Sequence, residues 1–176
     1  MIVIEAEAPD DAPAREALLD RCFGRARKFK TSERLRRGRR PAPGLALVAR
    51  DASGGLAGTV RLWPIAAGSA GAALLLGPLA VEPERQGSGI GAALMRRALA
   101  EAAESGHRAV ILVGDAAYYS RFGFQIVPPG LTMPGPVEAE RFQGLELVPG
   151  ALIGAAGRVV ATGRREPERT AVRAAA

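Results

Sequence analysis

The chain has 176 residues, 48% of them hydrophobic, and a net charge of +6; that is one domain's length with apolar residues enough for a core, which excludes a disordered chain. A single cysteine, Cys22, excludes an intramolecular disulfide, and one cysteine with one histidine, His107, cannot build a conventional metal site. The longest apolar run, residues 72–81, is too short for a membrane span and holds Gly77 and Pro78; with no basic leader followed by a long apolar segment, a soluble cytoplasmic protein without membrane contact is expected.

Residues 2–6 read as a half-buried strand. Pro9, Asp10 and Asp11 precede a helix that runs through Phe23 and closes at Gly24, with Ala17, Leu18 and Cys22 near one face. A basic stretch follows, with a second helix predicted over 31–37. Residues 45–49 and 56–65 form strands joined by a hairpin loop of Asp, Ala, Ser and two Gly. Trp63 precedes Pro64, so the second strand is expected to fray or meet an edge there. A glycine-rich turn over 68–71 leads to a strand over 72–81. Pro78 has no N–H to give a ladder and suits a bulge within that strand.

A helix is predicted over 89–105, with Ile90, Leu94 and Ala98 at fourfold spacing and Gly106 as its stop. Residues 109–113 form a buried strand. Asp115 is placed to cap a short helix that Gly123 ends, and Phe124 opens the next strand. Residues 128–136 hold six prolines and glycines and read as a loop, with a late strand over 145–148. Residues 1–163 form one domain, and 164–176 an Arg- and Ala-rich tail expected to fray. The order predicts a mixed α/β fold, antiparallel in its first half.

The stretch from Leu79 to Met95 carries the chemistry. An apolar strand ends, Glu82 to Gln86 follow, Gly87, Gly89 and Gly91 alternate, and a helix begins at once. Glycine allows close backbone approach and positive φ, and the first helical turn has free N–H groups at the positive end of the macrodipole. Together they form a backbone cradle for phosphate near residue 89. A Walker A loop is absent, because no Lys follows these glycines. Gly87-x-Gly89-x-x-Ala92 fits a dinucleotide fingerprint, and Asp115 stands where a ribose ligand would, but five residues separate strand from glycine and the motif lies mid-chain. A tight turn with no ligand is the third reading.

The spacing Gln86-x-x-Gly89-x-Gly91 resembles the Q/R-x-x-G-x-G/A signature of the GCN5-related N-acetyltransferases, and Tyr119-x-x-x-Gly123-Phe124 resembles that family's Y-x-x-x-G-F ending. The resemblance, closest to small bacterial N-acetyltransferases, covers residues 2–160 and is strongest over 74–124. It implies a central mixed sheet of about six to seven strands, splayed in the middle, with about four helices. It also implies transfer of an acetyl group from acetyl-CoA to a primary amine of a small molecule or peptide, directly within a ternary complex. By the same resemblance Leu79, Ala80 and Val81 lend backbone groups to the pantetheine arm. Arg85, Gln86, Gly87, Ser88, Gly89, Ile90, Gly91 and Ala92 hold the pyrophosphate, with Tyr118, Tyr119 and Phe122 beside the cofactor. Tyr119 takes the family tyrosine's place at the sulfur, as general acid or as hydrogen-bond donor; the opposing reading makes both tyrosines packing residues.

A general base is not evident. Glu82 at the strand end is a candidate, with Glu33 and Asp115 as others; each also reads as an ordinary turn, surface or cap residue. His107 starts its strand at the end away from the cofactor. Nine Lys or Arg against Glu33 give residues 25–40 a charge of +8, leaving the rest at −2. Either that is a solvated surface, or an anion docks there: an acidic acceptor, with Arg34 and Arg37 as substrate-binding candidates, the 3′-phosphate of CoA, or RNA. Only Phe29 interleaves the basic residues, so nucleic acid is not favoured. The chain is expected to act as a monomer or homodimer. An acyl-CoA sensor without acceptor chemistry, and a basic RNA-associated protein, stay as rival functions.

Overall fold

The computed structural model describes residues 1–167. Four strands run antiparallel in sequence order: β1 (Val3–Ala6), β2 (Ala46–Arg50), β3 (Leu56–Ala67) and β4 (Ala72–Val81). Helices α1 (Ala12–Phe23) and α2 (Glu33–Arg36) lie between β1 and β2. After β4 comes α3 (Ile90–Glu104), then β5 (Ala109–Val113), which pairs parallel to β4. A short α4 (Ala116–Tyr119) leads to β6 (Gln125–Ile126) and β7 (Leu131–Thr132). β8 (Phe142–Glu146) pairs antiparallel with β5 and β6, and β9 (Gly157–Ala161) pairs with β7 and with Ile65–Ala67 of β3. Among the described residues the sheet is mixed, as expected, with nine strands rather than six or seven; β6 and β7 have two residues each.

Alternation decides which side chain meets which layer. Leu62, Leu74, Leu76, Val110 and Leu112 pack under Ile90, Leu94, Met95 and Ala98 of α3. Trp63, Ile65, Ala73, Leu75, Ala109 and Ile111 face the opposite way, onto Leu35, Leu131, Met133 and Leu152. Buried on both faces, β4 and β5 read as unbroken apolar runs.

The register of β3 with β4 slips once. Leu62 pairs with Leu76 and Val60 with Leu79, so Gly77 and Pro78 together oppose Arg61. This is the bulge that Pro78 called for, and it swaps the faces of all residues beyond it. Leu79 and Val81 therefore return to the α3 side, while Ala80 packs with Leu18 and Leu19 of α1. The indole of Trp63 donates to the Gly77 carbonyl at 2.6 Å and pins the bulge.

β3 does not fray at Pro64. Pro64 pairs with Leu74 and its carbonyl accepts from Thr162 and Gly163. On that edge β2 stops opposite Arg61 and β9 starts opposite Ile65, so the imide nitrogen faces a seam where no donor is needed. Residues 164–166 do not fray either: Arg40 N–H donates to the Arg164 carbonyl and Glu166 N–H to that of Gly38. Residues 168–176 of the expected tail lie outside the described residues. Among the described residues, no helix is long and apolar enough to cross a membrane.

Candidate active site

β4 and β5 pair only at Leu74 with Val110 and Leu75 with Ile111. Beyond the bulge β4 has a partner on one edge alone. The Glu82 N–H donates to the Ala57 carbonyl, so Ala80, two residues back, faces Thr59 of β3. By the alternation of an antiparallel ladder, Leu79 and Val81 turn their N–H and C=O groups to the open edge. The Val81 carbonyl is already taken, by the Cys22 thiol at 3.2 Å and the Gln86 amide at 3.3 Å. That leaves the Leu79 peptide groups and the Val81 N–H as open-edge groups.

The loop after β4 returns through a tight turn over Pro83–Arg85, and Arg85 is held by Asp51 at 2.6 Å. Gly87 and Gly89 have φ of 81° and 88°, which only glycine adopts cheaply. Gly89 is the N-cap of α3 and no side chain caps the helix, so the first-turn N–H groups have no intrahelical acceptor and point outward. Gly91 answers a different need: a Cβ there would stand 2.8 Å from the Tyr118 hydroxyl.

Asp115 caps α4 by accepting from the Ala117 N–H at 3.1 Å. The cap sets the two tyrosines after the end of β5. Their rings meet edge to face at 4.9 Å, and Tyr119 continues onto Phe124 at 6.0 Å. The Tyr119 ring packs against Gly114, where a Cβ would come within 2.9 Å of Cδ2. Burial pushes the Tyr119 phenol up to about 12, with Tyr118 adding to the effect. Tyr118 is raised as well, by burial, against the pull of the Arg121 guanidinium stacked 4.4 Å from its ring.

One cavity of about 820 Å³ joins these parts. Leu79, Val81, Arg85, Gln86, Gly87, Gly89, Ile90, Gly91, Ala92, Tyr118 and Tyr119 all line it. Three expected cofactor residues do not. Ala80 faces α1, Ser88 turns its hydroxyl and its N–H to the Arg85 carbonyl, and Phe122 packs behind Tyr118 at 5.6 Å. Glu82 stands outside the cavity, bound to Arg21. Arg34 and Arg37 are outside as well, because backbone carbonyls hold them: Pro134 for Arg34 at 2.8 Å and Lys28 for Arg37 at 2.7 Å. Glu33 and Asp115 do reach the cavity, one paired with Arg36 at 3.2 Å and the other engaged as the cap.

Sequence reasoning missed Arg36, Lys30, Gly77, Gly114 and Arg141, all of which line the cavity. Nothing distinguishes Arg36 among nine basic residues in the sequence; its burial follows from Leu35 anchoring α2 in the core. Gly114 could have been found, as a glycine between a buried strand and a helix cap.

The family model for the acetyltransferase (GNAT) domain matches residues 42–126. The chain is 34% identical to the uncharacterized N-acetyltransferase YhbS of Escherichia coli (strain K12) over 160 residues, 90% of this chain and 95% of the relative. It belongs to the GNAT family of N-acetyltransferases. Among solved structures, E. coli YhbS in complex with CoA superimposes with a TM-score of 0.71 at 31% identity, covering 92% of this chain and 89% of that one. A GNAT acetyltransferase from Brucella melitensis in complex with acetyl-CoA gives 0.66 at 29% identity, covering 92% and 96%.

Proposed function

We propose that the protein, a single domain over residues 1–163 working in the cytoplasm, transfers acetyl from acetyl-CoA directly to a primary amine held in the same cavity. The observation that carries this reading is the convergence of three features on one cavity: the open edge of β4, the uncapped start of α3, and the buried phenol of Tyr119. The donor set suits a phosphorylated pantetheine. The first-turn N–H groups of α3 and Arg85 favour phosphate, and the Leu79 peptide can pair with an amide chain as an added strand would. The CoA and acetyl-CoA complexes of the two relatives support the same ligand here.

Acetyl-CoA, when bound, supplies an activated acyl group as a thioester. A backbone N–H from Leu79 or Val81 donates to the acyl oxygen as negative charge builds there. Tyr119 donates a hydrogen bond toward the departing sulfur. With the phenol near 12 and a thiol near about 8.5, complete proton transfer would run uphill by about 5 kcal/mol. Tyr119 therefore stabilises the thiolate by hydrogen bonding and keeps its proton. Both carboxylates in the cavity are already engaged, Glu33 by Arg36 and Asp115 by its helix. Removal of the amine proton is assigned to water rather than to Glu82.

The test is thermal stability with acetyl-CoA, NAD and ATP in turn, followed by thiol release with an amine panel. A ligand at 100 times its Kd stabilises by about 2.7 kcal/mol, a shift of about 5 to 11 °C for this size. A shift with acetyl-CoA and amine-dependent thiol release is expected. A shift with NAD alone would revive the dinucleotide reading, and cofactor binding without turnover on any amine would favour the sensor.

A further inference from the structure

We propose that the acceptor amine carries a carboxylate and that Arg36 holds it beside the bulge of β4. The inference rests on the acetyltransferase reading and names its second substrate.

Arg36 sits on the single turn of α2, its side chain only 10% exposed, and lines the cavity. Four of the basic residues around it are occupied. Arg27 is held by Glu16 at 2.5 Å and Asp20 at 3.0 Å, Arg34 and Arg37 by backbone carbonyls, and Arg39 by the Gly163 carbonyl at 2.7 Å. Arg36 differs. Only Nη2 is engaged, with Glu33 at 3.2 Å and Ser32 at 3.4 Å. Nε is buried with no partner, and Nη1 has none among the described residues. Burial accordingly pushes the guanidinium's pKa down.

Arg27, a cation serving the fold, has two nitrogens held by two carboxylates. An under-paired buried cation destabilises a protein, so its persistence at a cavity wall points to a charge that arrives with a ligand. Lys30 and Arg141 line the same cavity with no carboxylate partner among the described residues, which adds to the positive potential. The open Nη1 offers an anion a charge-assisted hydrogen bond, and a carboxylate is an anion that a small amine readily carries.

Position sets the size of the acceptor. Nη1 lies 3.4 Å from where a Cβ on Gly77 would stand. Gly77 is two residues from Leu79 across the bulge. An amine at the Leu79 peptide and a carboxylate on Arg36 thus fall within the span of one small molecule, and α- and β-amino acids are the simplest of that kind.

The experiment measures thiol release from acetyl-CoA with a panel of α- and β-amino acids, each beside its own carboxamide and its aminoalkylphosphonic analogue. Stabilisation by CoA is recorded on the same protein, so that failure to bind CoA counts against the acetyltransferase reading alone. The acids are expected to exceed their amides about 10- to 100-fold in kcat/KM, the range of a charge-assisted hydrogen bond. In Arg36→Met that ratio should fall toward one while CoA still stabilises the protein. Glu33→Gln combined with Arg36→Met removes both charges and covers the case in which the single variant does not fold. A CoA-stabilised parent that acetylates acids and amides equally, or no acid at all, overturns the inference. A preference for phosphonate over carboxylate overturns the assignment of the anion.

Discussion

Gly114→Ala tests the packing that positions Tyr119. A Cβ at this position would stand 2.9 Å from Cδ2 of the Tyr119 ring and nearer still to Cε2. The backbone cannot yield, because the Gly114 N–H donates to the Arg141 carbonyl at 2.9 Å and its own carbonyl accepts from the buried Gln143 amide at 3.0 Å. Nor can the ring retreat freely, with Tyr118 and Phe124 against it. Overpacking of this kind costs about 1–3 kcal/mol. Gly114 does not have positive φ, so alanine would otherwise be tolerated and would stabilise by about 0.4–1 kcal/mol through the unfolded chain. The ring's presence therefore decides the sign. Gly114→Ala should lower Tm by about 2 to 12 °C in the parent. It should do the same in Tyr119→Phe, whose ring carbons are unchanged, yet raise or leave Tm in Tyr119→Leu. Urea denaturation of the four corners, with and without the ring, gives a coupling expected near about 2 kcal/mol. A Gly114→Ala protein as stable as its parent, with no coupling to residue 119, would refute the placement of the ring.

Four further outcomes follow from the same geometry. Tyr119→Phe removes a hydrogen-bond donor to the developing thiolate and should lower kcat by about 100-fold while leaving stabilisation by CoA intact, read by thiol release and thermal shift. The fold favours the neutral Tyr119 phenol, so its contribution is whole below pH 10 and is lost as pH rises through about 12. Between pH 9 and 11 the parent should lose about 1 kcal/mol more than Tyr119→Phe by urea midpoint; equal losses would contradict the burial. Glu82→Gln should keep kcat/KM within about twofold and cost under about 1 kcal/mol, since Glu82 pairs with Arg21 near the surface; a large loss of rate would return it to the chemistry. Trp63→Phe strips the donor from the Gly77 carbonyl and should cost about 1–3 kcal/mol, with KM for the amine rising as the bulge loosens.

The elements that were legible in the sequence are those whose local chemistry and packing agree. Residues 72–81 read as a strand because both faces are buried and Gly71 bounds the run. Asp115 and Gly123 mark the ends of the tyrosine turn because a cap oxygen and a left-handed glycine are strictly local devices. β8 was expected only from Leu145. Its first residues include Gln143 and Gly144, a buried amide and a glycine, and tertiary contacts make them strand: Gln143 finds the Gly114 carbonyl, and the Gly144 position is crowded by Leu152. β9 was missed because only Val159 of its five residues is buried. At the site, the glycine cradle and Tyr119 were readable from spacing. Which residues of 25–40 face the cavity was not, because spacing is silent about which guanidinium finds a carbonyl and which is left over.

The extra residue in β4 makes one strand follow two phases. Before Gly77 its alternation serves the two-layer core; after Pro78 the same alternation runs inverted, and the strand presents peptide groups to a gap. Deleting one residue there would restore a continuous ladder with β3, giving a better strand by every local measure. It would leave Leu79, Ala80 and Val81 opposite Val60, Thr59 and Gly58, but the bend that parts β4 from β5 beyond Leu75 would go with the extra residue. The defect in the sheet and the capacity to hold a ligand are thus a single feature, and selection for a more regular sheet would act against the site.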